Sequence, residues 1–89
     1  MKFRWKKAKN IYLKRNRGIS FEEIVDKLVD GKFIDILVNP NHKNQEIFIM
    51  EINDYIWCVP FEELEVGTFE LKTAYKSRKM NKKYRGKYE

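Results

Sequence analysis

The residues from position 71 onward carry side chains suited to chemistry on phosphates. The stretch LKTAYKSRKMNKKYRGKYE, residues 71–89, contains eight Lys or Arg, three tyrosines and one acid. Ammonium and guanidinium groups bind phosphate oxygens, and tyrosine rings stack on unpaired bases or donate a proton. This composition favours a binding site for a polyanion, with a solvated basic tail as the alternative interpretation.

Charge is segregated along the chain, which has a net charge of +6. Residues 1–18 hold eight basic residues and no acid, whereas residues 19–70 hold three lysines and twelve acids. If the two ends lie together in the fold, they form a basic face, and a polyanionic partner is favoured. Charge alone does not identify that partner.

The length and the cysteine content limit the class of protein. We expect one domain over residues 1–89, because 89 residues leave no room for a second core. The single cysteine, Cys58, excludes an internal disulfide and favours a reducing compartment. No apolar run approaches the ~20 residues that span a bilayer, and residues 1–10 lack the apolar region of a secretory signal. We therefore expect a cytoplasmic protein without a membrane partner.

Two helices are predicted near the N-terminus. Residues 6–17 have helical spacing, with Ala8, Ile11, Tyr12 and Arg15 on one face. Gly18 follows at the position where a glycine ends a helix.

The second predicted helix has the clearest signals in the chain. Ser20 and Glu23 have the spacing of a capping box, and Gly31 is placed to end the helix. Its apolar stripe consists of Phe21, Ile24, Val25, Leu28 and Val29.

From residue 33 the pattern changes from helical to extended. Asn53 and Asp54 indicate a two-residue hairpin, and Pro60 favours a strand margin or an edge position. Ser77 is placed to cap a last, basic helix. Strands are predicted at 1–5, 33–38, 46–52, 55–61 and 68–75, with an acidic connection at 62–67.

This order of elements predicts an α+β fold. Two N-terminal helices pack on an antiparallel sheet of three to five strands, and a basic C-terminal helix follows. The sheet face away from the helices is then expected to be open to solvent or to a partner.

Four short motifs give the chain a resemblance to a known family. They are F-x-W-x-x-A-K at 3–9, R-G-I-S-F-E-E at 17–23, V-P-F at 59–61 and L-K-T-x-x-x-S-R-K at 71–79. In this order and at these intervals, the sequence resembles the BrnT-like toxins of bacterial type II toxin–antitoxin pairs. It departs from them at Asn16-Arg17, where members often have Lys-His, and at Lys6, where they often have an acid.

The resemblance implies a RelE-like ribonuclease fold and messenger RNA as the substrate, and it leaves open whether the RNA is cleaved on the ribosome. It also implies neutralisation by a co-expressed antitoxin, typically a ribbon-helix-helix protein, whose complex with the toxin can repress their operon. Activity in the absence of the family histidine is left open.

Metal-independent cleavage of RNA has three chemical requirements. The 2′-hydroxyl must lose a proton, the phosphorane charge must be stabilised, and the departing 5′-oxygen must be protonated. The chain has one histidine, His42, which excludes a mechanism that needs two. RelE-like enzymes rely on Lys, Arg and Tyr, and this resemblance implies Arg78, Lys72 and Tyr75 as the catalytic residues.

Each of these residues has a structural alternative. Arg78 binds phosphate and stabilises the transition state, or it is a solvated charge at a helix start. Lys72 points toward a bound RNA backbone, or it is a surface lysine that faces Glu70. As a general base it needs a lowered pKa, which a dense basic patch favours.

Further candidates surround this set. His42, in the loop NPNHKN, is a candidate acid or base, although a lone loop histidine is more commonly a surface residue. The outer face of the helix over 6–17 is a second RNA surface or an antitoxin docking site. We expect RNA binding by Lys76, Lys79, Lys82, Lys83, Tyr84 and Arg85, although packing against the sheet is the alternative for Tyr84, which shares a face with Met80.

No cofactor or metal is expected. Trp5, Trp57 and Cys58 fit a hydrophobic core, and no Cys/His spacing matches a zinc site. The leading interpretation is therefore a metal-independent endoribonuclease toxin. The alternatives are a non-catalytic nucleic-acid-binding module and an inactive toxin remnant that acts through protein interaction.

Overall fold

The computed structural model describes residues 1–85, so residues 86–89 of the basic terminal run lie outside the described chain. Three helices surround one sheet: α1 spans Lys7–Arg17, α2 spans Phe21–Val29 and α3 spans Arg78–Arg85. The strands are β1 (Lys2–Arg4), β2 (Asp35–Val38), β3 (Glu46–Ile52), β4 (Tyr55–Glu65), β5 (Thr68–Leu71) and β6 (Tyr75–Lys76). None of the helices within residues 1–85 has the length and apolar character to cross a membrane.

The predicted α+β class is confirmed, and the sheet is larger than expected. Its order is β1-β5-β4-β3-β2, and the two-residue β6 pairs with β4 beside β5. The other strand pairs are antiparallel, but β1 runs parallel to β5. The sheet therefore has six strands rather than three to five.

The end of α1 and the start of α2 follow the predicted local signals. Gly18 adopts a left-handed conformation with φ 65° and ends α1. The Ser20 side chain accepts a hydrogen bond from the Glu23 backbone N–H, and Glu23 accepts one from the Ser20 N–H. These bonds satisfy backbone donors that a helix start otherwise leaves unpaired.

The predicted inner face of α1 is wrong, and the difference bears on the site. Ala8, Ile11 and Tyr12 are exposed, whereas Asn10 and Leu13 are buried and Arg17 is half-buried. Asn10 causes the rotation, because its side chain accepts from the Phe21 N–H at 2.8 Å and donates to Glu22 at 2.8 Å. Leaving the buried Asn10 amide without hydrogen-bond partners would be costly. Its bonds to the start of α2 therefore keep the Asn10 side of α1 turned inward.

The turn between β3 and β4 forms as predicted. Asn53 and Asp54 have φ values of 51° and 63°, the left-handed pair that a two-residue hairpin requires.

The predicted edge position of Pro60 is wrong, because β4 is the third of the five strands along the sheet and Pro60 is buried. The Pro60 carbonyl accepts from the Lys72 N–H, so the ring nitrogen faces the same side, away from β3. The missing N–H of Pro60 therefore costs the sheet no hydrogen bond, because β4 pairs with β6 before this residue and with β5 after it. Residues 62–65, predicted as a connection, continue β4.

The two faces of the sheet are covered differently. α1 and α2 pack on the face that carries Phe48, Met50 and Val59, where the larger core forms. α3 packs Met80 and Tyr84 on the smaller cluster of Ile47, Ile49, Ile56 and Cys58 on the other face. The face expected to be open is therefore partly covered by the basic helix.

Candidate functional site

A cavity of about 250 Å³ brings together three of the predicted site residues, His42, Lys72 and Tyr75. Lys72 follows β5, Tyr75 begins β6, and His42 lies in the loop between β2 and β3. The wall is completed by Asn39, Asn41, Gln45, Pro60 and Thr73. Residues 30 or more positions apart in the sequence thus share one concave site, as expected for groups that act together.

The loop that carries His42 is ordered by Asn39. This residue is buried, and its side chain accepts from the Asn41 N–H at 3.0 Å and donates to Gln45 at 3.2 Å. The Gln45 backbone N–H also bonds the His42 carbonyl at 3.3 Å. These bonds hold the loop, and with it His42, against the cavity.

Lys72 is an ion-paired lysine, as its structural alternative predicted. Its ammonium donates to Glu70 and lies 3.4 Å from the Glu62 carboxylate. The hydrogen bond that Lys72 donates to Glu70 is the main reason that the pKa of Lys72 is raised, and the same bond lowers the pKa of Glu70. A general base needs the opposite change, because it must be neutral to accept a proton. Lys72 is therefore not suited to act as a general base, and its two carboxylate partners compensate its charge.

Tyr75 lines the cavity of His42 and Lys72 and also a second cavity, which is described below. Burial, and then its contact with Cys58, raise the pKa of the Tyr75 phenol, so the hydroxyl stays protonated near neutral pH. The phenol can then donate a proton but is not a base in its resting state. Cys58 itself is buried, and burial raises the pKa of its thiol, which agrees with the predicted core role.

A second cavity, of about 400 Å³, opens between the end of α1 and β6. We call it the α1–β6 cavity, and its walls are Asn16, Arg17, Trp57, Tyr75 and Lys76. Tyr75 therefore borders both cavities. Trp57, predicted as core, is indeed buried and also forms part of this wall.

The two cations of the α1–β6 cavity are held by neutral groups. The Arg17 guanidinium donates to the Ala74 carbonyl at 2.7 Å and to the Thr73 hydroxyl at 3.2 Å. The Lys76 ammonium lies 5.5 Å from the centre of the Tyr55 ring and 5.8 Å from that of Trp57. In the sequence, Arg17 is the first residue of the R-G-I-S-F-E-E motif and also a departure from the family pattern, and that departure was the available signal for its role.

α3 places its cations outward. The Ser77 hydroxyl accepts from the Met80 N–H at 3.1 Å and caps the helix as predicted. Arg78 is exposed and forms no hydrogen bond or ion pair within residues 1–85. Lys79, Lys82 and Lys83 are exposed too, and Arg85 is half-buried.

Tyr84 follows its structural alternative. It packs against the sheet, and its hydroxyl donates to Asp35 at 2.9 Å. Burial, and then this bond, raise the pKa of the Tyr84 phenol. This bond holds α3 against the sheet, and a role of Tyr84 in RNA binding stays a prediction.

The described residues contain no group suited to a metal ion. No cluster of three or more His, Cys, Asp or Glu side chains with the geometry of a metal site occurs within residues 1–85.

The comparisons with known proteins show the fold. No family model and no curated protein matches the sequence. Among solved structures, the chain is similar to the ribonuclease toxin BrnT of Brucella abortus, with a TM-score of 0.65 and 20% sequence identity. The match covers 86% of this chain and 96% of that chain. The chain therefore has a BrnT-like fold, as its motifs implied.

Proposed function

We propose that this protein is the ribonuclease toxin of a type II toxin–antitoxin pair. In this proposal it cleaves RNA, with messenger RNA as the expected substrate, by metal-independent attack of the 2′-hydroxyl. The supporting observation is the cavity lined by His42, Lys72 and Tyr75 in a chain with the fold of a ribonuclease toxin. Because the sequence identity to the matched toxin is only 20%, the fold does not establish the mechanism. The mechanism is therefore argued from the residues of the cavity.

The cavity contains a candidate base and a candidate acid for the reaction, whereas Arg78, the proposed phosphate binder, is not among its lining residues. His42 takes the proton from the 2′-hydroxyl as the general base. The 2′-oxygen attacks phosphorus, the bond from phosphorus to the 5′-oxygen breaks, and Tyr75 gives the 5′-oxygen its proton. The products are a 2′,3′-cyclic phosphate and a 5′-hydroxyl, and transfer of a proton from His42 to Tyr75, through water where needed, restores both groups.

Cations supply the electrostatic part of this mechanism. Lys72 stays protonated, but Glu62 and Glu70 compensate its charge, so its part in this proposal is to hold the cavity wall. Arg78, three residues after Tyr75, is free of partners in the described chain and binds the phosphorane oxygens with its planar fork. The exposed lysines of α3, namely Lys79, Lys82 and Lys83, with Lys76 and Arg85, hold the RNA backbone.

The partner proposed for neutralisation is a ribbon-helix-helix antitoxin. The outer face of α1 carries exposed cations at Lys7, Lys14 and Arg15, which suit an acidic antitoxin segment or additional RNA. Co-expression of a small open reading frame adjacent to the gene for this chain tests this point. Rescue of growth and co-purification of both proteins support it, and continued toxicity with no complex contradicts it.

Induced expression in bacteria tests the enzymatic proposal. Wild type, Arg78→Ala and the control Lys32→Ala, an exposed lysine after α2, are compared for growth and for new RNA 5′ ends. Wild type and the control are expected to arrest growth and create new ends. Arg78→Ala is expected to lose about 10²-fold or more in cleavage, as when a transition-state donor is removed.

Other outcomes correct the proposal in specific ways. A folded, fully toxic Arg78→Ala protein removes Arg78 from the mechanism. A folded wild-type protein that produces no new ends favours a binding module or a toxin remnant. The neutralised state of Lys72 is the observation that favours this second function. A binding module binds DNA about as well as RNA and cuts neither.

A further inference from the structure

The α1–β6 cavity has the composition of an anion site, and the mechanism above gives no role to one of its two cations, Arg17. Two cationic side chains, Arg17 and Lys76, line it, and no acid is among the described residues of its wall. Neither cation forms an ion pair within residues 1–85, although twelve acids lie between residues 19 and 70. Positive charge without a counter-charge in a concave, partly apolar site attracts and concentrates anions.

The guanidinium of Arg17 is fixed in place. It donates hydrogen bonds to Ala74 and Thr73, which lie in the segment that links β5 to β6, and it lies 5.3 Å from the centre of the Tyr12 ring. One of its terminal nitrogens makes both hydrogen bonds, so the other donors of the fork remain available. A guanidinium that is already oriented loses little conformational entropy on binding a phosphate.

The second cation and the wall complete the site. Lys76 is opposite Trp57 in the pairing of β6 with β4, which places its ammonium near the indole ring. The wall thus combines two cations with aromatic surface.

The geometry points to a phosphodiester-binding site in the α1–β6 cavity, in which Arg17 and Lys76 together hold one backbone phosphate of a single-stranded RNA. This inference rests on the proposed function and deepens it. Tyr75 borders both cavities, so a phosphate bound here places the neighbouring nucleotide at the cavity of His42 and Lys72. Arg17 and Lys76 are therefore substrate-binding residues, and a strand that runs from one cavity to the other passes Tyr75.

Binding of an RNA that cannot be cleaved tests the site separately from catalysis. The probe is a fluorescent single strand of about eight 2′-O-methyl nucleotides, a length in the range that such sites cover. Methylation removes the attacking hydroxyl, so affinity is measured whether or not the protein is an enzyme. Anisotropy titrations at several salt concentrations give both the affinity and its dependence on salt.

Three variants isolate the two cations. Arg17→Gln and Lys76→Gln remove the charges of the cavity, and Lys32→Gln removes an exposed charge after α2 that lines neither cavity. Arg17→Gln and Lys76→Gln are each expected to weaken binding about tenfold, the value of one charge-assisted contact. Each should also reduce the slope of log affinity against log salt by about 0.7, as for one lost contact to a single strand. Lys32→Gln is expected to change affinity by less than about twofold, because its charge is solvated.

Each outcome decides the inference. If both cavity variants bind like wild type with an unchanged slope, or if Lys32→Gln loses as much as they do, the site is refuted. A wild-type protein that does not bind the probe also refutes it. Thermal unfolding identifies any variant that fails to fold, and Lys76→Gln, whose ammonium contacts only aromatic rings, then carries the test. If binding is lost as expected but cells show no new RNA ends, the phosphate site stands and the ribonuclease proposal fails.

Discussion

Lys72 and Arg17 represent two opposite environments for a cation in this protein. Lys72 lies beside Glu62 and Glu70, which neutralise it. Arg17 bonds a carbonyl and a hydroxyl, and its neighbour Lys76 lies over two aromatic rings. Both regions open onto cavities that Tyr75 borders, yet only the α1–β6 cavity keeps its positive charge uncompensated.

The difference shows that a count of basic residues does not locate a binding surface. Lys72 belongs to a strongly basic stretch of sequence, but its partners come from the acidic middle of the chain. Arg17 is available because its partners across the fold are neutral. The neighbours of a cation in the fold decide whether its charge is available to a polyanion. The following variants distinguish the contributions of the two regions.

The largest effect is expected at Tyr75, the residue that connects the regions. Tyr75→Phe removes the proton donor and keeps the ring, so RNA cleavage is expected to fall about 10²-fold or more. Binding of the 2′-O-methyl strand should stay within about twofold of wild type. Cleavage is measured by mapping RNA ends after matched induction. A variant that cuts within about threefold of wild type assigns the proton to another group.

A smaller effect distinguishes the two lysines. Lys72→Met leaves Glu62 and Glu70 as directly opposed like charges on β4 and β5. The free energy of unfolding is expected to fall by about 1 kcal/mol, measured with urea. RNA affinity should fall by less than about threefold, because this ammonium is already occupied. Lys76→Gln is expected to do the reverse, with a larger loss of affinity and little loss of stability. Identical behaviour of the two variants would contradict the comparison.

The features that the sequence predicted are those specified by neighbouring residues. The capping box of Ser20 and Glu23, the hairpin at Asn53 and Asp54 and the cap at Ser77 depend on residues a few positions apart. Their geometry is determined locally, so the residue types are sufficient.

The features that were missed depend on distant partners. The parallel pairing of β1 with Thr68–Glu70 and the bond of Arg17 to Ala74 join residues more than fifty positions apart. The rotation of α1 follows from the burial of Asn10, a polar residue that periodicity assigns to the surface. The contact of Lys72 with Glu70 was expected as a structural alternative, but its second carboxylate partner, Glu62, depends on the pairing of Glu62 opposite Glu70.

The smallest expected effect is a pH dependence of the pair formed by Glu70 and Lys72. The pKa of Glu70 is lowered in the folded state, so its contribution is present above the unfolded value of about 4.3 and is lost as pH falls through the folded value. The pKa of Lys72 is raised, so its contribution is present below about 10.4 and is lost as pH rises further.

Urea unfolding of wild type and Lys72→Met at pH 7 and pH 3 measures this effect. The stability difference between the two proteins, about 1 kcal/mol at most for a partly exposed pair, should shrink at the lower pH. Glu70→Gln lacks the titrating carboxylate and serves as the control. Its free energy of unfolding should change less between pH 7 and pH 3 than that of wild type. A difference that is the same at both pH values shows that Lys72 stabilises the fold by packing rather than by charge.

The central claim is that this protein cleaves RNA through the 2′-hydroxyl of the RNA itself. The chemistry of the new RNA ends in cells that express wild type or Tyr75→Phe tests it most directly. The account predicts 5′-hydroxyl and 2′,3′-cyclic phosphate ends in wild type and about 10²-fold fewer of them in Tyr75→Phe. New ends that carry a 5′-phosphate, or no new ends from a folded wild-type protein, would contradict it.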